Sequence, residues 1–302
     1  MSDPLSIFVH QVQRGDVVLA AAVGLLVACL LYRIVRLAGA PTDRPAVQRL
    51  ASLAWHIGCL LGLEQAYEFT RGRIFHEKDI TDIALLHAYR LLDLEWRHGF
   101  FVESRIERFF LHFRVVMNAV DLFYVLAHVG VTIGVLVYLY LRRQQHFWFV
   151  RNLIMVTTAI ALVAFYVYPM APPRFLPNYG FVDPSVLHHF VAEGGAQIDS
   201  YTYNPYAAMP SLHVAYALVV ACGLFLAERR RWIRATAAAY PLVMAAVVVI
   251  SGNHWLLDVA GACVTVALAA TVIYLAGAVQ ARVRRRVVVN PWIARFSHCE
   301  SK

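Results

Sequence analysis

The chain has 302 residues, of which 60% are hydrophobic and only 15% charged. A soluble domain carries about 25% charged residues, and so large an apolar surplus cannot be buried inside one globule of this length. This excludes a disordered chain, a collagen-like fibre and an ordinary cytosolic enzyme, and leaves a multi-pass membrane protein surrounded by lipid.

The net charge of +8, from 27 Lys+Arg against 19 Asp+Glu, would by itself suit a nucleic-acid binder. Its distribution points elsewhere. The arginines stand mainly at the ends of apolar runs: Arg33, Arg36, Arg44 and Arg49, then Arg142, Arg143 and Arg151, then Arg229, Arg230, Arg231 and Arg234, then Arg282, Arg284, Arg285 and Arg286. Cytoplasmic loops are built this way under the positive-inside rule. No nucleic-acid recognition module accompanies the charge, so no nucleic-acid partner is expected. The five cysteines are scattered without metal spacing or a disulfide framework, and read as small apolar packing residues.

Apolar runs that span, or nearly span, occupy 17–37, 119–141, 147–168, 211–227, 235–250 and 256–278. A span needs about 20 residues. The first run ends in Arg33 and Arg36 without a small-residue cleavage site, so it reads as an anchor and not a removed signal. The stretch 50–69 is interrupted by Glu64, Gln65 and Glu68. Between roughly 70 and 117, Ile83, Leu86, His87, Leu91 and Leu94 recur at helical spacing among Arg90, Asp93 and Arg97. This predicts amphipathic helices lying in the membrane interface, or a small external helical cap.

The loops set the orientation. Segment 169–210 carries a single Arg, Arg174, against Asp183, Glu193 and Asp199, and 251–255 carries no Lys, Arg, Asp or Glu. Both belong outside, while 142–151, 228–234 and the C-terminus belong inside. Carrying the alternation back, with 33–49 inside, requires 50–69 to span. That gives seven helices, which is favoured; six would leave four arginines outside. The expected fold is an all-α polytopic membrane bundle of six or seven transmembrane helices with interfacial amphipathic helices. Its expected parts are an anchor region at 1–69, interfacial helices at 70–118, a transmembrane core at 119–280 and a basic cytoplasmic tail at 281–302. No internal repeat is present.

Two His-bearing turns stand where external loops enter transmembrane helices. In Met209-Pro210-Ser211-Leu212-His213, proline suits the first helical turn and the free backbone N–H groups favour an anion. Ser211 adds a hydroxyl, and His213 projects from the same turn. In Ser251-Gly252-Asn253-His254-Trp255-Leu256-Leu257-Asp258, His254 and Asp258 are four apart, so their side chains meet on one helix face. A carboxylate there can keep one imidazole nitrogen protonated and leave the other as a nucleophile. Gly252 permits a tight turn or a close backbone approach. Asp121, Tyr124 and His128 share one face of the 119–141 run, as a polar wall against a hydroxylated headgroup or as interhelical hydrogen bonding. Tyr201, Tyr203, Asn204 and Tyr206 before the Pro-Ser-Leu-His turn read as interface anchors or, as the alternative, as the lining of a substrate mouth, and His188 and His189 as loop surface.

Together with Tyr168-Pro169-Met170-Ala171-Pro172-Pro173-Arg174-Phe175, these turns resemble the three signature regions of the type 2 phosphatidic acid phosphatase superfamily. The likeness is greatest to the branch of inositol-phosphorylceramide synthase and inositolphosphotransferase-like bacterial proteins. It covers about 90 to 280, including Asp121-Leu122-Phe123-Tyr124 and His128. The resemblance implies metal-independent phosphoryl transfer in the core at 119–280, with no cofactor. His254 would attack phosphorus and become a phosphohistidine, and Asp258 would orient it. His213 would protonate the leaving oxygen and then activate an acceptor alcohol or water. Arg174, Ser211, Asn253 and the helix-entrance amides would hold the phosphate oxygens.

The phosphatase members of that superfamily carry Lys and Arg in the first region, Ser-Gly-His in the second, and an Arg six before the third-region His. Here Val167, Leu212 and Val248 stand at the Lys, Gly and last Arg positions. One Arg in place of three cationic groups holds a free phosphomonoester less tightly. The expected substrate is therefore a lipid phosphate or phosphodiester donor, with an inositol-phosphate-like headgroup passed to a polar alcohol. A lipid phosphate phosphatase using water is the nearest alternative. A transporter or scaffold, or a zinc site of His213, His254 and Asp258, are more distant ones. The expected location is the plasma membrane with the site facing the extracytoplasmic side.

Overall fold

The computed structural model describes residues 51–60, 78–182 and 206–289, with isolated positions 24, 27, 28, 30, 32, 47, 48 and 62. Most of the run 17–37, the second half of 50–69, the tail from 290 and the loop residues Asp183, His188, His189, Glu193, Asp199, Tyr201, Tyr203 and Asn204 lie outside the described residues. So does the choice between six and seven spans.

The fold is an all-α membrane bundle. A short apolar helix, α1 (Ala51–Leu60), precedes α2 (Lys78–Arg97) and α3 (Glu103–Leu111). Then come α4 (Arg114–Arg142), α5 (Gln144–Val167), α6 (Leu212–Ala227), α7 (Arg231–Ile250) and α8 (Leu256–Val289). Helices α4, α5, α7 and the Leu256–Arg282 part of α8 are long and apolar enough to cross a membrane. The short central helix is α6. It packs against α4, α5, α7 and α8 and is apolar all round, as a helix enclosed by others must be. Ala215, Ala217, Ala221 and Gly223 keep its surface thin, so that neighbours close on it. A Cβ at Gly223 would stand 2.6 Å from a methyl of Val150 on α5.

Connectivity gives the bundle two unlike ends. The α4–α5 turn and the α6–α7 turn share one end, where Arg143 Nη2 lies 3.3 Å from Glu228, its Nε donates to the Ala227 carbonyl, and the Tyr138 hydroxyl donates to Glu228. The last turns of α5 and α7 and the first turns of α6 and α8 meet at the other.

The helix predicted by the 83–94 periodicity is present as α2, and one of its faces packs against protein. Ala84, Ala88, Leu91, Leu92 and Glu95 are buried, whereas Ile83, Leu86 and Leu94 are exposed. The physical reason is that in lipid the larger apolar side chains point outward and small or polar ones point toward protein. Helix α3 carries the inversion further. Its buried residues are Glu103, Ser104 and Glu107, while Phe109 is 60% exposed.

Candidate active site

The C-terminus of α7 places His254. Gly252 adopts φ 63°, a left-handed conformation that glycine reaches without a Cβ penalty. Its N–H bonds to the Val249 carbonyl and that of Asn253 to the Val248 carbonyl, the paired bonds of a Schellman cap. The His254 N–H also bonds to Val248 O, and the Asn253 side-chain amide donates to Ser251 Oγ at 2.8 Å. Every link from Ile250 to His254 is thus tied back to the helix. His254 emerges at a fixed position and is 5% exposed.

Its imidazole Nδ1 lies 2.8 Å from the Ala208 carbonyl oxygen and 3.2 Å from Asp258 Oδ2. Both partners only accept, so Nδ1 carries the proton and Nε2 keeps its lone pair. Asp258 is fully buried and also accepts from the Trp255 N–H at 2.9 Å. This is the back-reaching half of a capping box.

The first region wraps around this turn. Trp255 Nε1 donates to the Ala171 carbonyl, the Arg174 N–H bonds to Gly252 O, and Met170 pairs with Ala207 in an isolated parallel bridge. His87 of α2 stacks on Tyr168 and its Nδ1 donates to the Pro169 carbonyl at 2.7 Å. Trp255, Met170, Ala171, Leu176, Phe181 and Ala208 form the apolar mass beneath.

Across from His254 stands His213, one residue into α6, with ring centroids 6.0 Å apart. Tyr124 stacks on His213 at 4.0 Å and His128 lies 4.3 Å from it, itself stacked on Tyr216. Two members of the expected polar wall on α4 are therefore gathered around one histidine. Asp121 is half-buried one turn before Tyr124. Arg174 is half-buried beside Gly252, its guanidinium 5.3 Å from the Phe175 ring.

Two expectations about the helix entrances need correction. Pro210 precedes the cap and is not in the first helical turn: Ser211 is the N-cap of α6, buried, its Oγ accepting from the Val214 N–H. The hydroxyl hydrogen remains to donate elsewhere. At α8 the entrance amides are not open to a phosphate. Trp255 N–H is taken by Asp258, Leu256 N–H by Glu103 Oε1 at 3.0 Å, and Leu257 N–H by Glu95 Oε1 at 3.4 Å. A helix N-terminus attracts anions, and here the protein's own carboxylates occupy it.

Glu95, Glu103 and Glu107 are all fully buried beside the site, and the sequence reading passed over them. Glu107 accepts from the Val182 N–H and stands where a Cβ on Gly252 would be, 2.7 Å from its Oε1. The Glu95 carboxyl is pushed up to about 9, first by burial, then by the charge of Glu103 and a hydrogen bond to it. A signal was present. Glu103 and Glu107 are an i,i+4 like-charge pair, unfavourable on an exposed helix face and so a mark of inward-facing partners.

Comparison with known proteins follows the same residues. The chain is 28% identical over 262 residues to the phosphoinositol dihydroceramide synthase of Bacteroides thetaiotaomicron, an alignment covering 80% of this chain and 81% of that protein. No solved structure matches it significantly. The profile of the PAP2 superfamily matches residues 89–272, from within α2 through the first half of α8 and across all three histidine and arginine turns. The chain belongs to the PAP2 superfamily and is an integral-membrane lipid phosphotransferase or phosphatase.

Proposed function

We propose that this enzyme is a phosphotransferase that moves a phosphoinositol-like headgroup from a phosphodiester lipid to a lipid alcohol, through a phosphohistidine on His254. The observation that carries the reading is the facing pair: His213 and His254 at 6.0 Å, with His254 Nδ1 committed to Ala208 O and Asp258. An attacking nitrogen about 3–3.5 Å from phosphorus, with an acid within hydrogen-bond reach of the leaving oxygen, needs a gap of this order.

In the first step His254 Nε2 attacks phosphorus and the bond to the glycerolipid oxygen breaks. His213 gives that oxygen its proton, releasing a diacylglycerol-type alcohol. In the second step neutral His213 takes the proton of the acceptor hydroxyl, whose oxygen attacks phosphorus and frees His254. Asp258 steadies the charged imidazole in between. Arg174, Ser211 and Asn253 are the proposed donors to the phosphate oxygens, and Asp121, Tyr124 and His128 the headgroup wall. The likeness to a phosphoinositol dihydroceramide synthase supports a phosphoinositol headgroup and a dihydroceramide-type acceptor. The positions where phosphatase members carry cations support a transferase. Val248 is buried with its carbonyl spent on the His254 turn, and Val167 is an exposed residue at the end of α5. We further propose that the site faces the extracytoplasmic side of the plasma membrane.

The test is to incubate the purified protein with headgroup-labelled [32P]phosphatidylinositol, with and without dihydroceramide. The expected result is acid-labile label on the protein without acceptor, absent in His254→Ala, and phosphoinositol-dihydroceramide by mass spectrometry when acceptor is added. His213→Ala is expected to slow both. Inositol phosphate as the sole product, unaffected by dihydroceramide, would assign a hydrolase that uses water as acceptor. Normal turnover by His254→Ala would remove the phosphohistidine.

A further inference from the structure

We propose that Glu95 and Glu103 are positioning residues for the transfer: a buried carboxyl pair sharing one proton, which caps the first amides of α8 and so fixes His254 and Asp258. Neither residue belongs to the three motif regions. Glu95 comes from the last turns of α2 and Glu103 from the first turn of α3, with the Trp96–Val102 connection between them.

The geometry is specific. Leu256 and Leu257 lie between His254 and Asp258, and their N–H groups are held by Glu103 Oε1 and Glu95 Oε1. Any shift of these amides moves the nucleophile and its orienting carboxylate together. Positional errors of about 1 Å at a reacting centre can cost about a hundredfold in rate.

The pair also has a defined protonation. Glu95, Glu103 and Asp258 are each fully buried around one helix terminus. The terminal partial charge, roughly +0.5, cannot balance three carboxylates in a low dielectric. Glu103 accepts backbone N–H bonds at both oxygens, from Leu256 at 3.0 Å and Val102 at 2.9 Å. Asp258 Oδ2 accepts from Trp255 N–H and faces His254 Nδ1. Both oxygens of Glu103 and Oδ2 of Asp258 are thus already taken by N–H groups. Glu95 accepts only the 3.4 Å bond from Leu257, no donor among the described residues reaches its buried Oε2, and its remaining hydrogen bond is to Glu103 itself. The proton therefore resides on Glu95. The charged groups that act on it are Glu103 on α3 and Asp258 on α8; burial first, then the charge of Glu103 and a hydrogen bond to it, raise the carboxyl to about 9.

The sign of the pH effect follows. An unfolded Glu ionises near 4.5, and here the folded group holds its proton to about 9. The native state thus binds the extra proton between these values, and stability falls as pH rises through that window. Above about 9, Glu95 and Glu103 repel each other and the α8 terminus loosens.

The experiment measures thermal unfolding of the detergent-solubilised full chain from pH 5 to 10, with kcat and KM for [32P]phosphatidylinositol and dihydroceramide in mixed micelles. Glu95→Gln, which mimics the protonated carboxyl, is expected to abolish the alkaline fall in kcat and flatten the decline of Tm. Glu95→Ala and Glu103→Gln are expected to lower kcat by about 10- to 100-fold with KM little changed, as misplacement of a reacting group does. Rescue of Glu95→Ala by Glu95→Gln separates positioning from bulk packing. A Glu95→Gln variant with the wild-type alkaline limb and Tm slope would overturn the proposal, as would wild-type kcat in Glu95→Ala. The kinetic arm rests on the transferase reading, whereas the unfolding arm does not. If this lipid pair is not turned over, the Tm profile still decides.

Discussion

At His254 the nearer partner of Nδ1 is the Ala208 carbonyl at 2.8 Å, and the Asp258 carboxylate is second at 3.2 Å. The backbone carbonyl alone can hold the tautomer that leaves Nε2 unprotonated. In the proposed mechanism Asp258 then has two separable duties: it caps Trp255, and it would supply negative charge to a phosphorylated imidazole. In Asp258→Asn an amide oxygen can keep the Trp255 and His254 bonds, and only the charge is lost. We expect kcat to fall about 10- to 100-fold in Asp258→Asn, the usual range for an orienting partner, against abolition of turnover in His254→Gln. Burst labelling checks this, since Asp258→Asn should still trap label on His254, more slowly. A burst absent in both variants would mean that Ala208 does not hold the ring.

At the scale of elements, two glycines carry different loads. Gly223 lets α6 approach α5, and a methyl there would meet Val150 at 2.6 Å. Gly252 combines positive φ with a virtual Cβ 2.7 Å from Glu107 Oε1. Gly223→Ala is expected to cost about 1–3 kcal/mol of stability through overpacking, lowering Tm with kcat of the surviving protein preserved. Gly252→Ala adds about 1–2 kcal/mol of backbone strain at the residue that aims His254, so kcat should fall more steeply than Tm. Equal effects of the two variants on kcat and Tm would contradict this division. The elements also explain what the chain disclosed in advance. Runs 119–141, 147–168, 211–227, 235–250 and 256–278 carry their signal locally, as length and hydropathy, and each became a helix. The His213 and His254 turns were legible because capping chemistry is local too. The carboxylates of α2 and α3 were not. Their role depends on contacts with Leu256 and Leu257, more than 150 residues away along the chain. Periodicity found α2 but did not say which of its faces meets protein: Ala84, Ala88 and Glu95 do, while Ile83, Leu86 and Leu94 are exposed, because in lipid small and polar side chains turn toward protein.

For the whole molecule, chain connectivity separates chemistry from charge. His213, His254, Arg174 and the three glutamates lie at the end where α6 and α8 begin; Arg142, Arg143, Arg229, Arg230 and Arg231 lie at the turns of the other end. Helix α6 is 16 residues long, about 24 Å, against a hydrocarbon core of about 30 Å. Enclosed by longer neighbours, it need not reach both surfaces. The proposed donor and acceptor are both lipids that stay in the membrane. Orientation then decides which leaflet supplies them. By the positive-inside rule the arginine end is expected in the cytoplasm. In a variant with its five cysteines replaced, Tyr179→Cys beside the site is expected to react with a membrane-impermeant maleimide in intact cells. Arg230→Cys should react only after permeabilisation. The reverse pattern would place the site in the cytoplasm and require its lipids to come from the inner leaflet.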